Sequence, residues 1–222
     1  MAHYDLEEQE QIDSIKTWWK MYGNLITGVV TAAALGVVGW QGWGWYQRSQ
    51  SAQASAIYSV LEQAVAGRDG QRVKAAAGEL AEKFGGTTYA PLGALMAAKF
   101  SFESGDLKTA QAQLTWAAGN GKNELKDVAR LRLAAILLDE KAYDEALKQL
   151  DSAHAAAFDA RFAELKGDVL AAQGKKDEAK AAYQAAIAKL DSKNGQAEVA
   201  DRAATPYRQL IEQKLDSLGA AA

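Results

Sequence analysis

The sequence predicts an all-α protein: one N-terminal transmembrane helix followed by a solenoid of helical pairs. Three observations point there. Met21 to Gln47 is a run of 27 residues without a charge. Past it, segments rich in Ala, Leu, Glu and Lys alternate with short Gly-, Asp- or Asn-containing breaks, with no β-branched runs at strand spacing. Small residues recur in those segments at a nearly constant interval.

The leader, 1–21, is acidic, with Asp5, Glu7, Glu8, Glu10 and Asp13. The span is placed at 22–47, and its apolar centre, Leu25 to Trp45, is 21 residues. At about 1.5 Å per residue that is roughly 31 Å, the hydrocarbon thickness of a bilayer. Aromatic residues mark both ends: Trp18, Trp19 and Tyr22 before it, then Trp40, Trp43, Trp45 and Tyr46. Amphipathic rings favour headgroup depth. Lys16 and Lys20 precede the span and only Arg48 closely follows, so the leader is expected in the cytoplasm and the remainder, 48–222, outside it. Ser51-Ala52-Gln53-Ala54 offers a small-x-small cleavage pattern. The apolar stretch is longer and the leader more acidic than in a signal peptide, so retention is expected. Gly28, Ala32 and Gly36 recur every four residues, a face that allows close packing by another transmembrane helix.

After a polar junction at 49–53, a repeat emerges. Ala76, Ala110, Ala146 and Ala179 are spaced 34, 36 and 33 residues apart. Twelve positions before each stands Ala64, Ala98, Ala134 or Gly167, and four positions after each stands Leu80, Leu114, Leu150 or Tyr183. Paired small residues let two helices cross closely while the large residue covers the contact. The expected pairs are 52–84, 88–118, 124–154 and 159–190, closed by a capping helix over 205–218. In such a stack the first helix of each pair lines the concave face. That places Leu92, Leu95, Lys99 and Phe102 on a candidate partner surface. Tyr89, Phe100, Trp116, Tyr143 and Phe158 are expected in the core.

Composition narrows the function. With no cysteine there is no thiol nucleophile, Cys-ligated metal or disulfide framework. The net charge of −3 argues against capture of a polyanion. His3 and His154 form no metal-ligand pair. Asp139-Glu140 and Asp144-Glu145 flank a helix turn, where exposed acids are ordinary, and His154 suits a helix C-terminus. The glycine turns lack a phosphate-loop Lys-Ser/Thr, and no nucleophile elbow is present. The expectation is a binding protein with no cofactor and no catalytic residue.

The helical pairs resemble the tetratricopeptide repeat in a degenerate form. The whole chain resembles the YfgM family of ancillary SecYEG translocon subunits. That resemblance rests on Glu10-Gln11 with Lys16 and Trp18-Trp19, Thr88-Tyr89-Ala90, Leu131-Arg132-Leu133-Ala134, Ala146-Leu147 with Leu150-Asp151, and Gly167-Asp168 before Gly174. It implies a single-pass bacterial inner-membrane protein with periplasmic repeats. It also implies association with the SecYEG translocon and with a membrane-anchored periplasmic chaperone of the PpiD type. The leader could also meet a cytoplasmic regulator. A scaffold for envelope assembly, or a cleaved secreted peptide-binding repeat protein, are the competing readings.

Overall fold

The computed structural model describes residues 6–194 and 201–220. Within them the elements are helices joined by turns. α1 is Leu6–Ala66, α2 Gly70–Phe84, α3 Tyr89–Glu103, α4 Leu107–Asn120 and α5 Glu124–Asp139. α6 is Tyr143–Leu150, α7 Asp159–Ala172, α8 Lys176–Asn194 and α9 Asp201–Ala220, with a 3-10 turn, Ala156–Phe158, ahead of α7. The chain divides into two units, Met1–Gln50 and Ser51–Ala222.

The first unit holds most of α1. Among the described residues α1 alone is long and apolar enough to cross a membrane. Its large side chains, Leu25, Val29, Val30, Leu35, Val37 and Val38 among them, are exposed. The expected junction at 49–53 is helical; Ser, Gln and Ala there contain no Gly or Pro to break the ladder.

The second unit is a stack of neighbours. The end of α1 shares a core with α2 and α3 through Ala54, Leu61, Ala64, Val73, Ala76 and Leu80. Each later helix touches its successor in order, and α3 touches α5 and α5 touches α7 across the pairs. The expected crossings are all buried. Ala64, Ala98, Ala134, Ala76, Ala110, Ala146 and Ala179 are all at most 5% exposed, as are Leu80, Leu114, Leu150 and Tyr183. Where the small residue is glycine the approach is tighter still: a Cβ on Gly167 would lie 2.5 Å from Tyr183 Cε1.

Four turns within the pairs are built alike. Each holds one residue at positive φ: Arg68 (52°), Gly105 (79°), Lys141 (62°) and Gly174 (78°). In each, the next amide reaches back five residues: Asp69 N to Ala64 O, Asp106 N to Ser101 O, Ala142 N to Leu137 O, Lys175 N to Leu170 O. That is the helix-ending motif in which a left-handed residue satisfies orphan carbonyls. Asp69 and Asp106 then cap the following helix, accepting from Arg72 N and Thr109 N, whereas Ala142 has no side chain to do so. The bonds from Thr109 hold the Asp106 carboxyl below its ordinary value.

Several boundaries differ from expectation: α8 runs through Asn194, past the expected end at Leu190, and α9 spans Asp201–Ala220 where 205–218 was expected. α4 runs through Asn120, past the expected end at Ala118. α6 stops at Leu150, so His154 does not sit in its last turn. It lies in the connection to α7, stacked on Phe162 with ring centroids 3.9 Å apart and with Nε2 3.4 Å from Asp159. The connection is pinned from α5: buried Asp127 accepts from Ala155 N at 2.9 Å, and Arg130 donates to Ala153 O at 2.6 Å. Those backbone bonds satisfy groups that a longer α6 would have satisfied itself. The core aromatics Tyr89, Phe100, Trp116, Tyr143 and Phe158 are half-buried and packed against the clusters.

α9 closes the stack through Ile211, which is fully buried beside Leu170, Ala179 and Tyr183. A polar network holds it in place. Lys214 donates to Glu164 at 2.6 Å and to Asp168 at 2.7 Å. Tyr207 Oη donates to Glu164 at 2.7 Å, Tyr183 Oη donates to Asp168 at 2.7 Å, and Arg161 lies over the Tyr207 ring. Burial first, then the bond to a carboxylate, pushes both phenols well above the ordinary tyrosine value. For Lys214 burial pulls downward, but the bonds to Asp168 and Glu164 outweigh it and the ammonium is held above the usual lysine value.

Candidate functional site

In the first unit, Gly28, Ala32 and Gly36 are exposed, and a Cβ on Gly28 or Gly36 would meet nothing within 4 Å. The chain's own packing therefore gives no reason for those glycines. The marker aromatics Trp18, Trp19, Trp40, Trp43, Trp45 and Tyr46 are all exposed, Trp40 by 82%. They are grouped along the helix, Trp18 with Tyr22 at 5.8 Å and Trp43 with Tyr46 at 6.1 Å between centroids. Gly23 is the buried exception, because the Trp19 ring folds over it one turn away.

In the second unit, the first helices of three pairs, the end of α1, α3 and α5, enclose a groove of about 570 Å³. Its floor is apolar: Val65, Leu92, Met96, Phe100, Leu125 and Val128, with Glu62, Lys99, Glu103 and Arg132 among them. Of the four residues picked from the sequence, Leu92, Leu95 and Lys99 line this groove. Leu95 is only 6% exposed, so it is chiefly a core residue whose edge reaches the groove. Phe102, 46% exposed, lines a smaller neighbouring hollow of about 390 Å³ with Leu114 and Ile136. Lys99, Glu103 and Arg132 border both hollows. The ridge is lightly tied, Lys99 lying 3.7 Å from Glu103 with both side chains largely in water.

Sequence reasoning missed Glu62, Met96 and Arg132. The signal that finds them is the repeat register itself. Each stands two positions before the small residue of its helix, Ala64, Ala98 and Ala134, and all three line the groove.

Two of the four carboxylates flanking the α5–α6 turn have structural partners: Glu140 accepts from the Gln111 amide, and Asp144 accepts from Gln173 at 3.5 Å. Among the described residues no three His, Cys, Asp or Glu converge as a metal site. What the arrangement offers chemically is an apolar trough with charges on its rim, suited to a polypeptide segment.

Comparison with known proteins agrees with this architecture. A family model described as a tetratricopeptide repeat-like domain matches residues 16–220. A relative from Neisseria gonorrhoeae named "Ancillary SecYEG translocon subunit" is 33% identical over 215 residues, 96% of this chain and 98% of its own. One of the same name from Haemophilus influenzae is 34% identical over 184 residues, covering 82% of this chain and 90% of its own. Another from Escherichia coli is 29% identical over 184 residues, covering 81% and 87%. Spanning nearly the whole chain, from the aromatic-flanked apolar helix through the stacked pairs, these matches show that it belongs to the family of ancillary SecYEG translocon subunits, with a tetratricopeptide repeat-like domain.

Proposed function

We propose that this chain is a non-enzymatic, single-pass inner-membrane subunit associated with the SecYEG translocon, its repeats facing the periplasm. There it scaffolds a chaperone of the PpiD type for newly exported chains. The observation that carries the binding half is the groove of α1, α3 and α5, where Leu92 and Met96 are left half-open on an otherwise well-packed domain. A stack of helices that only had to fill its own core would not keep an apolar trough of that size in water. The translocon half rests on the family and on the span. Gly28, Ala32 and Gly36 suit close contact with a partner's transmembrane helix, and the aromatic groups suit the two membrane surfaces.

Cross-linking in intact membranes tests the two halves separately. A photoreactive residue in place of Met96 should capture a periplasmic chaperone, and one at Val29, beside the Gly28/Ala32/Gly36 face, should capture a channel subunit. A photoreactive residue at outward-facing Lys180 should capture neither. Equal adducts from Met96 and Lys180 would overturn the groove as partner surface.

A further inference from the structure

The groove has a polarity that its apolar character alone would not require. Glu62, Met96 and Arg132 occupy equivalent positions in three successive first helices, each two residues before the small crossing residue. All three line the same trough. The row therefore reads acid, thioether, base across the stack. Glu62 and Arg132 are exposed, and no ion pair holds either among the described residues. Lys99 and Glu103, the other rim charges, face each other at 3.7 Å and largely offset one another. What remains uncompensated is a negative end at Glu62 and a positive end at Arg132, with Met96 between. Methionine is the side chain best able to remould around varied apolar groups.

We propose that the groove recognises an extended polypeptide segment with a basic and an acidic side chain flanking an apolar one, the order of those charges setting the direction in which the segment lies. A basic side chain of the segment pairs with Glu62, an apolar one sits on Met96, and an acidic one pairs with Arg132. This deepens the proposed function by giving the chemistry of the bound segment. Its spacing follows from geometry. Packed helices lie about 8–10 Å apart, so Glu62 and Arg132 are separated by about 16–20 Å. At about 3.3 Å per residue the two charges of an extended segment stand five or six positions apart. Apolar contact supplies the affinity, while the charges choose the register and the direction.

The test uses the full chain in lipid nanodiscs. Four pools of end-blocked dodecapeptides carry Lys-Glu, Glu-Lys, Lys-Lys or Glu-Glu at positions 3 and 9, with apolar and small residues elsewhere. Blocked ends leave side chains as the only charges. Both mixed pools should be retained about five-fold over the like-charged pools, each lying in its own direction, as expected for two exposed pairs. That preference should fade in high salt. The single charge reversals should move it, Glu62→Arg to the Glu-Glu pool and Arg132→Glu to the Lys-Lys pool. Retention of all four pools alike, or an unchanged preference in the single variants, overturns charge-matched recognition while leaving the groove a binding surface. No retention above empty nanodiscs overturns both.

Discussion

Gly167 on α7 and Tyr183 on α8 are in such close contact that even a methyl group on the glycine would lie 2.5 Å from the tyrosine ring. The ring cannot swing away, because Tyr183 Oη is bonded to Asp168 on the same helix as the glycine. Gly167→Ala is therefore expected to cost about 1–3 kcal/mol. Ala110→Leu and Ala146→Leu, at fully buried crossings, should cost a similar amount. Lys180→Leu, on an exposed face, should stay within about 0.5 kcal/mol. Denaturant unfolding of the four variants checks this, and equal midpoints would mean the crossings are misplaced.

The turn between α5 and α6 is the weak copy of its series. Lys141 adopts φ 62° without being glycine, and Ala142 caps α6 without a side-chain acceptor. Lys141→Gly should stabilise by about 0.5–1 kcal/mol, relief of left-handed strain outweighing added chain entropy. Ala142→Ser should add about 1 kcal/mol by capping. A neutral hydroxyl is the better choice, since Asp144 and Glu145 already occupy the first turn. Gly105→Ala should move stability the other way. Melting curves of the three variants decide it.

The hold on α9 should fail at alkaline pH. Tyr183, Tyr207 and Lys214 all have raised values, so the folded chain keeps these protons more tightly than the unfolded chain does. Their contribution is complete below about pH 10, where unfolded phenols begin to ionise, and is lost as pH rises through the raised folded values. Of the eight tyrosines, these two should ionise last, together with a loss of amide protection in α9. Ultraviolet titration with hydrogen exchange reads both events. Ionisation of all tyrosines together near pH 10, with α9 still protected, would remove the network from the account.

The span should be retained and oriented with the leader inside. A reporter active only in the periplasm, fused after Ala222, should be active, and the mass of the purified chain should match the uncleaved sequence. Activity of a cytoplasm-dependent reporter at that position would reverse the orientation.

The fold was readable because its signals are local and periodic. An uncharged run, eight small crossing residues and glycine in three of four turns locate nearly every helix. At Arg68 and Lys141 the positive-φ position is itself not glycine, so that geometry was invisible although the neighbouring turns share it. The early end of α6 was equally hidden. It depends on Asp127 and Arg130, more than 20 positions away in sequence, bonding the backbone of the connection. In the groove, Leu92 and Lys99 followed from helical phase. Arg132 did not, because an arginine on a helix face reads as solvated until the neighbouring first helices are seen to share its trough. The α9 network escaped for the same reason: Glu164 meets Tyr207 and Lys214 across 43 and 50 residues.

The most direct measurement is quantitative recovery of SecYEG channel subunits with the full chain, captured from cross-linked membranes at matched abundance. The wild-type chain and Met96→Glu should recover the channel equally, while Met96→Glu alone loses the chaperone partner. Gly28→Leu/Ala32→Leu/Gly36→Leu, which keeps the span apolar, should insert normally and recover several-fold less channel. Channel recovery by the wild-type chain no greater than that of an unrelated single-span protein would contradict the account.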